Sequence, residues 1–269
     1  MPLVKLTPVQ IQNAYNGWAD GGRRDGKAGG LSPLTRRYIH VILRSALARA
    51  VEQQVLARNP ADALKNRLPK VERHEMTILT VEQSGHLLDS LRHMHIYWPV
   101  LLALTTGMRR GEILALHWKN VELDRGTLRV RVVESLEQTK AGIRFKAPKT
   151  DRARAITLPA FAVDELRRSL VCRREDGEPK QPGSLTHEFA HLISRIKDVP
   201  RVRFHDLRHS HATQLLADGV HPKIAQERLG HSTITTTMDL YSHVSDTMQS
   251  DAATRLDAAF RLVITGRAK

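Results

Sequence analysis

The sequence predicts a mainly helical chain with one small antiparallel β-sheet. This is an α+β fold, split between a helical N-terminal domain and a larger domain behind it. Three observations lead there. Apolar residues recur at helical spacing through about the first 70 positions. A charged, proline-containing stretch, LPKVERHEMTIL at residues 68 to 79, then breaks the pattern as an exposed connector would. Beyond it, short strand-like segments sit between stretches that return to helical spacing. The boundaries fall at 1–70 for the first domain, 71–79 for the linker and 80–269 for the second domain.

The elements follow in order. In LTPVQIQNAYNGWADGG, Thr7 is an N-cap with Pro8 at the first helical position, and Gly21 and Gly22 end the helix. A second helix starts at Ser32 or Thr35. Leu34, Tyr38, Ile42, Leu43, Ala46, Leu47, Ala50 and Val51 recur along it at helical spacing. Pro60, in NPADAL, breaks it and starts a short turn of helix. Thr80 caps the first helix of the larger domain, with Glu82 in its first turn.

WPVLLALTTGMRRGEILALHW gives two apolar helical stretches around a Thr-Gly step. VELDRGTLRVRVV reads as a hairpin turning at Asp124 to Gly126. TKAGIRFKAPKTDRARAITLP reads as two more short strands around a basic turn. AFAVDELRRSLVCRRE, HEFAHLISRIK, HDLRHSHATQLLAD and PKIAQERL return to helix, with GEPKQPGS, residues 177 to 184, as a flexible loop. Gly230 is the C-cap after PKIAQERL and puts His231 at a helix end. The last helix, 246–264, carries Met248, Ala252, Leu256, Ala259, Phe260 and Val263 on one face.

Composition narrows the function. The 269 residues are 41% hydrophobic, enough for a real core, and carry a formal net charge of +14. So large a cationic excess favours a polyanionic partner, DNA or RNA first. Cys172 is the single cysteine, which excludes an intrachain disulfide and fits a reducing compartment. No apolar run reaches the roughly 18 residues of a membrane span, and no signal-peptide stretch opens the chain. The expectation is a cytoplasmic protein.

Four places concentrate cations beside polar residues. They are TTGMRRGE with Arg109 and Arg110, KAPKTDRAR with Lys146, Lys149, Arg152 and Arg154, FHDLRHSHAT with His205, Arg208, His209 and His211, and LGHS followed by Tyr241. His205 and Arg208 stand three apart on a predicted helix. One chemistry uses all four. A tyrosine hydroxyl, with a pKa of about 10, is a poor nucleophile until nearby cations favour the phenolate. Two arginines can hold the non-bridging oxygens of a phosphodiester under attack through paired N–H bonds. A lysine or histidine can protonate the leaving alkoxide, and no metal is required.

The order Arg, Lys, His-x-x-Arg, His, Tyr resembles the tyrosine recombinases, or phage integrase family. TGMRRGE looks like that family's first arginine box, and HDLRHSHAT with LGHSTITTTMDLYSH like its second. The match covers about residues 76 to 269 as a catalytic domain. The N-terminal helices resemble the family's core-binding domain, truncated at its N-terminus.

The resemblance implies that Tyr241 attacks the scissile phosphate, forming a 3′-phosphotyrosine and releasing a 5′-hydroxyl. Arg109 and Arg208 would bind the non-bridging oxygens, and Lys149 would protonate the leaving oxygen. His205 would move a proton to or from the tyrosine, and His231 would hydrogen-bond the phosphate. It further implies double-stranded DNA as partner, a homotetramer on DNA formed from monomers in solution, and neither ATP nor a metal cofactor. The C-terminal helix would dock on a neighbouring subunit.

Alternatives stand beside each reading. Arg110 competes with Arg109, and Lys140 and Lys146 compete with Lys149. Tyr241 taken alone reads as a core tyrosine. Spacings such as His187 with His191, or His205 with His209, echo a zinc site. At the level of function, the alternatives are strand relaxation like that of a type IB topoisomerase, a non-catalytic DNA-binding regulator, and a zinc hydrolase.

Overall fold

The computed structural model describes residues 2–23, 25–71, 76–124, 127–147, 153–166 and 181–239, with 253–254, 256–258 and 260–261 of the C-terminal segment. The chain separates into two compact units, Met1–Glu75 and Met76–Lys269.

In the first unit, α1 (Pro8–Asp20) opens with a capping box. The Thr7 hydroxyl accepts from the Gln10 amide N–H, and the Gln10 side chain accepts from that of Thr7. Ser32, not Thr35, caps α2 (Pro33–Glu52), its hydroxyl accepting the Thr35 N–H. The apolar series along α2 divides. Leu47 is buried and Leu43, Ala50 and Val51 pack beside it, whereas Leu34, Tyr38 and Ile42 are exposed. The place they would take facing α1 belongs to His40, buried with Nδ1 3.1 Å from the Tyr15 hydroxyl. A polar residue is tolerated there because that bond satisfies it. Asn59 caps the 3-10 turn Pro60–Leu64, whose Ala61 and Leu64 close this small core.

The second unit is built on α4 (Tyr97–Thr106), whose Val100, Leu101, Leu102 and Ala103 are all buried. A helix apolar on every face belongs in the middle of a domain. Before it lies α3 (Val81–Leu91), capped by a box between Thr80 and Gln83 with Glu82 in the first turn. After it, α5 (Arg110–Leu114) starts at the Thr-Gly step.

The single sheet expected from sequence is two. β1 (Val121–Asp124), β2 (Thr127–Val132) and β5 (Arg154–Thr157) make one antiparallel sheet with β2 central. β3 (Ser135–Thr139) and β4 (Gly142–Lys146) make a separate hairpin. The strands on either side of the basic turn therefore do not pair with each other. β4 takes SLEQT as partner, a strand hard to see because only Leu136 of it is buried. The Asp124–Gly126 turn falls partly outside the described residues.

Helix α6 (Ala160–Leu166) follows, and residues 167–180, with Cys172, lie outside the described residues. α7 (Pro182–Ile193) begins inside the expected loop GEPKQPGS, because Pro182 is preorganised for a first helical position. Phe189 of α7 meets Phe204 edge-on, with ring centroids 5.4 Å apart. α8 (Asp206–Ala217) buries Leu207 and Leu216. α9 (Pro222–Leu229) and the short α10 (Ile234–Met238) complete the unit. Of the C-terminal helix, Leu256 and Phe260 are 59% and 62% exposed. No helix among the described residues is long and apolar enough to cross a membrane.

Candidate active site

Two helices end side by side, each in a left-handed glycine. Gly107 (φ 64°) ends α4 and Gly230 (φ 66°) ends α9. Gly107 has a second reason to be glycine. A Cβ there would lie 2.5 Å from a Leu229 methyl and 2.7 Å from the His211 ring. Helix C-termini leave carbonyls without intrahelical partners and carry partial negative charge. Here guanidinium groups satisfy them. Arg208, 4% exposed, donates through Nη1 to the Gly107 carbonyl (2.5 Å) and through Nη2 to that of Leu229 (2.7 Å). Arg109 Nη2 donates to the Gly230 carbonyl (2.9 Å). Arg228 Nη2 donates to Thr105 O (2.8 Å), and Arg154 Nε to Arg228 O (3.0 Å).

Among the described residues a single carboxylate sits between them. Glu112, 2% exposed, accepts four hydrogen bonds. They come from Arg154 Nη1 and Nη2 (3.1 and 2.7 Å), Arg109 Nη1 (3.0 Å) and the Arg109 amide N–H (2.8 Å). Burial works against its ionisation, but Arg154, then Arg109, outweigh that and hold its pKa below the usual value. Among the described residues Arg208 has no carboxylate partner. Burial first, and then Arg109, lower its pKa to about 9, so the guanidinium remains charged at neutral pH. A guanidinium has five N–H donors. The hydrogen bonds named engage two on Arg109 and two on Arg208, leaving three on each. The site is thus a cationic cluster with directed donors to spare.

Three histidines border it. His231, directly after Gly230, has Nδ1 2.9 Å from the Thr237 hydroxyl. Burial, then Arg208 and Arg109, lower its pKa to about 4, so the ring is neutral at pH 7. An arriving phosphate anion would offset those arginine charges and raise it. His205 precedes α8 and is exposed, its ring edge-on to His209 with centroids 5.0 Å apart. Burial of part of the ring, then His209 and Arg208, hold it below the ordinary value, and solvent screens that effect.

His211 is buried, and its Nε2 accepts from Arg228 Nε (3.2 Å), which requires a neutral ring. Burial, then Arg228, lower its pKa to about 3. A folded-state pKa below the unfolded value of about 6.5 makes stability highest above pH 6.5 and lowers it as the unfolded chain takes up the proton. We therefore expect the urea-unfolding free energy to fall between pH 7.5 and pH 5, with about 1–2 kcal/mol of the fall due to His211 and a further part to His231. That loss is expected to shrink in His211→Asn; an equal loss in the variant would place the titration elsewhere.

The structure thus brings Arg109, Arg208 and His231 together, with His205 at the exposed start of α8. Lys149 and Tyr241 lie outside the described residues. Arg110 turns away from this cluster to the Thr186 hydroxyl of α7. Lys146 pairs with Glu137 across the β3–β4 hairpin (2.7 Å). Reading the sequence assigned no role to Glu112, Arg228 or the two carbonyl turns, and counted Arg154 only as one cation of a basic turn. The Arg-x-x-Glu spacing in RRGE was a usable signal for Glu112, since three apart on a helix is one face. Nothing local marks Arg154 or Arg228, whose partners are distant in sequence.

The phage integrase family model matches residues 77–248. The chain belongs to the phage integrase family. As a phage integrase-family protein it is a site-specific recombinase, an enzyme that cleaves and rejoins DNA. A tyrosine recombinase XerC-like protein of Caldanaerobacter subterraneus subsp. tengcongensis is 26% identical, over 97% of this chain and 73% of its own. Tyrosine recombinase XerC of a Mycobacterium species is 31% identical, over 79% of this chain and 72% of its own. Among solved structures, the Tn1549 transposon integrase in complex with a circular intermediate DNA shares the fold. Its TM-score is 0.79 at 19% identity, over 94% of this chain and 87% of that one.

Proposed function

We propose that this chain breaks DNA with Tyr241 and holds the reacting phosphate with the arginines of the helix-end cluster. The observation that supports this most is the cationic cluster itself. Arg109 and Arg208 are fixed by backbone carbonyls, keep unused N–H donors, and among the described residues have a single buried carboxylate, Glu112, near them.

The Tyr241 oxygen attacks phosphorus, and the bond to the 5′-oxygen breaks. The leaving oxygen takes a proton from Lys149, and His205 accepts the tyrosine proton. Arg109, Arg208 and His231 receive the charge that develops on the non-bridging oxygens. A 5′-hydroxyl of a partner strand then attacks the 3′-phosphotyrosine and reverses each transfer, so the phosphodiester is conserved without ATP.

The substrate is double-stranded DNA. Residues 1–70 act as a core-binding domain and 80–269 as the catalytic domain, joined through 71–79. Arg23, Arg24, Lys27, Arg36 and Arg37 of the first domain supply phosphate contacts, which give affinity without sequence information. The activity belongs in the cytoplasm.

The test is metal-free incubation with nicked duplexes of random sequence, followed by recovery of covalently captured DNA. The attached peptide is expected to carry its nucleotide on Tyr241. Capture on another residue, or no capture from any duplex, would overturn the assignment.

The assembly on DNA is read as a homotetramer. The exposed Leu256 and Phe260 side chains support a docking role for the C-terminal helix. Deleting residues 246 to 269 is expected to leave the melting temperature within a few degrees and reduce the complex on DNA to smaller species in sedimentation. An unchanged assembly would refute that role.

A further inference from the structure

We propose that Arg154, at the start of β5, is a positioning residue that locks Arg109 and the His231 turn into one geometry. The inference rests on Arg109 and His231 being phosphate-binding groups.

Arg154 joins three parts of the chain at once. Its fork grips both oxygens of Glu112 (3.1 and 2.7 Å), and the same carboxylate holds the Arg109 side chain (3.0 Å) and backbone N–H (2.8 Å). Its Nε donates to the Arg228 carbonyl in the last turn of α9 (3.0 Å). Its guanidinium also lies directly against the Gly230 turn. A Cβ on Gly230 would be 2.8 Å from Nη1, 2.9 Å from Cζ and 3.1 Å from Nε. A side chain immediately before His231 would therefore displace the Arg154 fork, and the left-handed backbone there (φ 66°) disfavours one as well.

The Arg154 side chain is 11% exposed and that of Glu112 is 1% exposed, so little solvent competes for these bonds. Lysine cannot replace the group. A point-like ammonium cannot serve a bidentate carboxylate and a carbonyl on its far side together. Without that fork, Glu112 keeps Arg109 as its sole guanidinium partner. The turn carrying His231 then loses the Arg154 side-chain bond that ties the end of α9 to β5. Catalytic geometry tolerates little displacement, since about 1 Å can cost 10²-fold in rate.

The experiment uses the full chain and one nicked duplex, selected from a random-sequence pool by covalent capture on the unaltered protein. Capture by that protein tests the assignment of Tyr241 separately, so a failure here leaves that assignment standing. For Arg154→Lys we expect single-turnover capture at saturating duplex to slow about 10- to 100-fold. Its dissociation constant should stay within about threefold of the unaltered chain's, because on this proposal the Arg154 fork is committed to Glu112 and the Arg228 carbonyl rather than to phosphate. Combining Arg154→Lys with Arg109→Lys is expected to be about as slow as the slower single variant, because the two act as one unit.

A rate within about twofold of the unaltered chain, or losses that multiply, would overturn the proposal. So would an Arg154→Lys loss confined to DNA affinity. Glu112→Gln, which keeps the shape and breaks the same charged fork, is measured in parallel below its melting temperature. It is expected to show the same split between rate and affinity. If both variants fail to fold at any temperature, Arg154 holds the fold rather than the site, and the proposal is wrong.

Discussion

Tyr241→Phe is expected to abolish covalent capture of nicked DNA while leaving the dissociation constant within about twofold. The substitution removes one oxygen and retains the ring. Binding of the scissile phosphate is assigned to Arg109, Arg208 and His231, whose donors are held by Glu112, by the Gly107, Leu229 and Gly230 carbonyls, and by the Thr237 hydroxyl. None of these partners is the phenol. Thr237 stands four residues before Tyr241 and is tied to His231, so the chain entering the Tyr241 segment stays anchored without the hydroxyl. The loss should therefore appear entirely in chemistry. The attacking oxygen is gone, and without it no covalent link between protein and DNA can form. Residual adduct from Tyr241→Phe, or a large fall in DNA affinity, would count against this division of labour. A denaturing gel and a filter-binding titration read the two quantities separately.

The residues assigned to chemistry stand out in the sequence to the extent that they lie in compact local patterns. Arg109 sits in a Gly-Met-Arg-Arg-Gly-Glu step, His205 and Arg208 three apart, and His231 after a Gly C-cap. Helix starts were legible for the same reason. Thr7, Ser32 and Thr80 make cap bonds three residues ahead, within reach of any local reading. What escaped was non-local. Arg154 reaches Glu112 across 42 positions and Arg228 O across 74, and Arg208 reaches Gly107 O across 101. No spacing rule reports such pairs. β3 escaped because its partner face is a helix and its alternation is carried by Leu136 alone. The exposed Leu34, Tyr38 and Ile42 of α2 teach the converse. Helical periodicity says which residues share a face, and packing decides which face is covered.

Arg208→Ala is expected to slow cleavage about 10²- to 10³-fold, the usual loss for one donor to a developing oxyanion. Its effect on stability should be smaller. Truncation strands the Gly107 and Leu229 carbonyls, at about 1–3 kcal/mol for each one left without a partner. Against this, it removes a buried cation from beside Arg109, whose like charge already disfavours it. The two contributions oppose, so the net destabilisation is expected to be about 1–3 kcal/mol. Arg208→Lys separates them further. The ammonium keeps the charge but cannot span two carbonyls while presenting paired donors to a phosphate. We expect it to recover most of the DNA affinity and little of the rate. A lysine variant that cleaved within about tenfold of the unaltered chain would show that charge alone suffices. The two helix ends would then be fixed for the fold rather than for the phosphate. Single-turnover capture, with urea melts on the same preparations, distinguishes these outcomes.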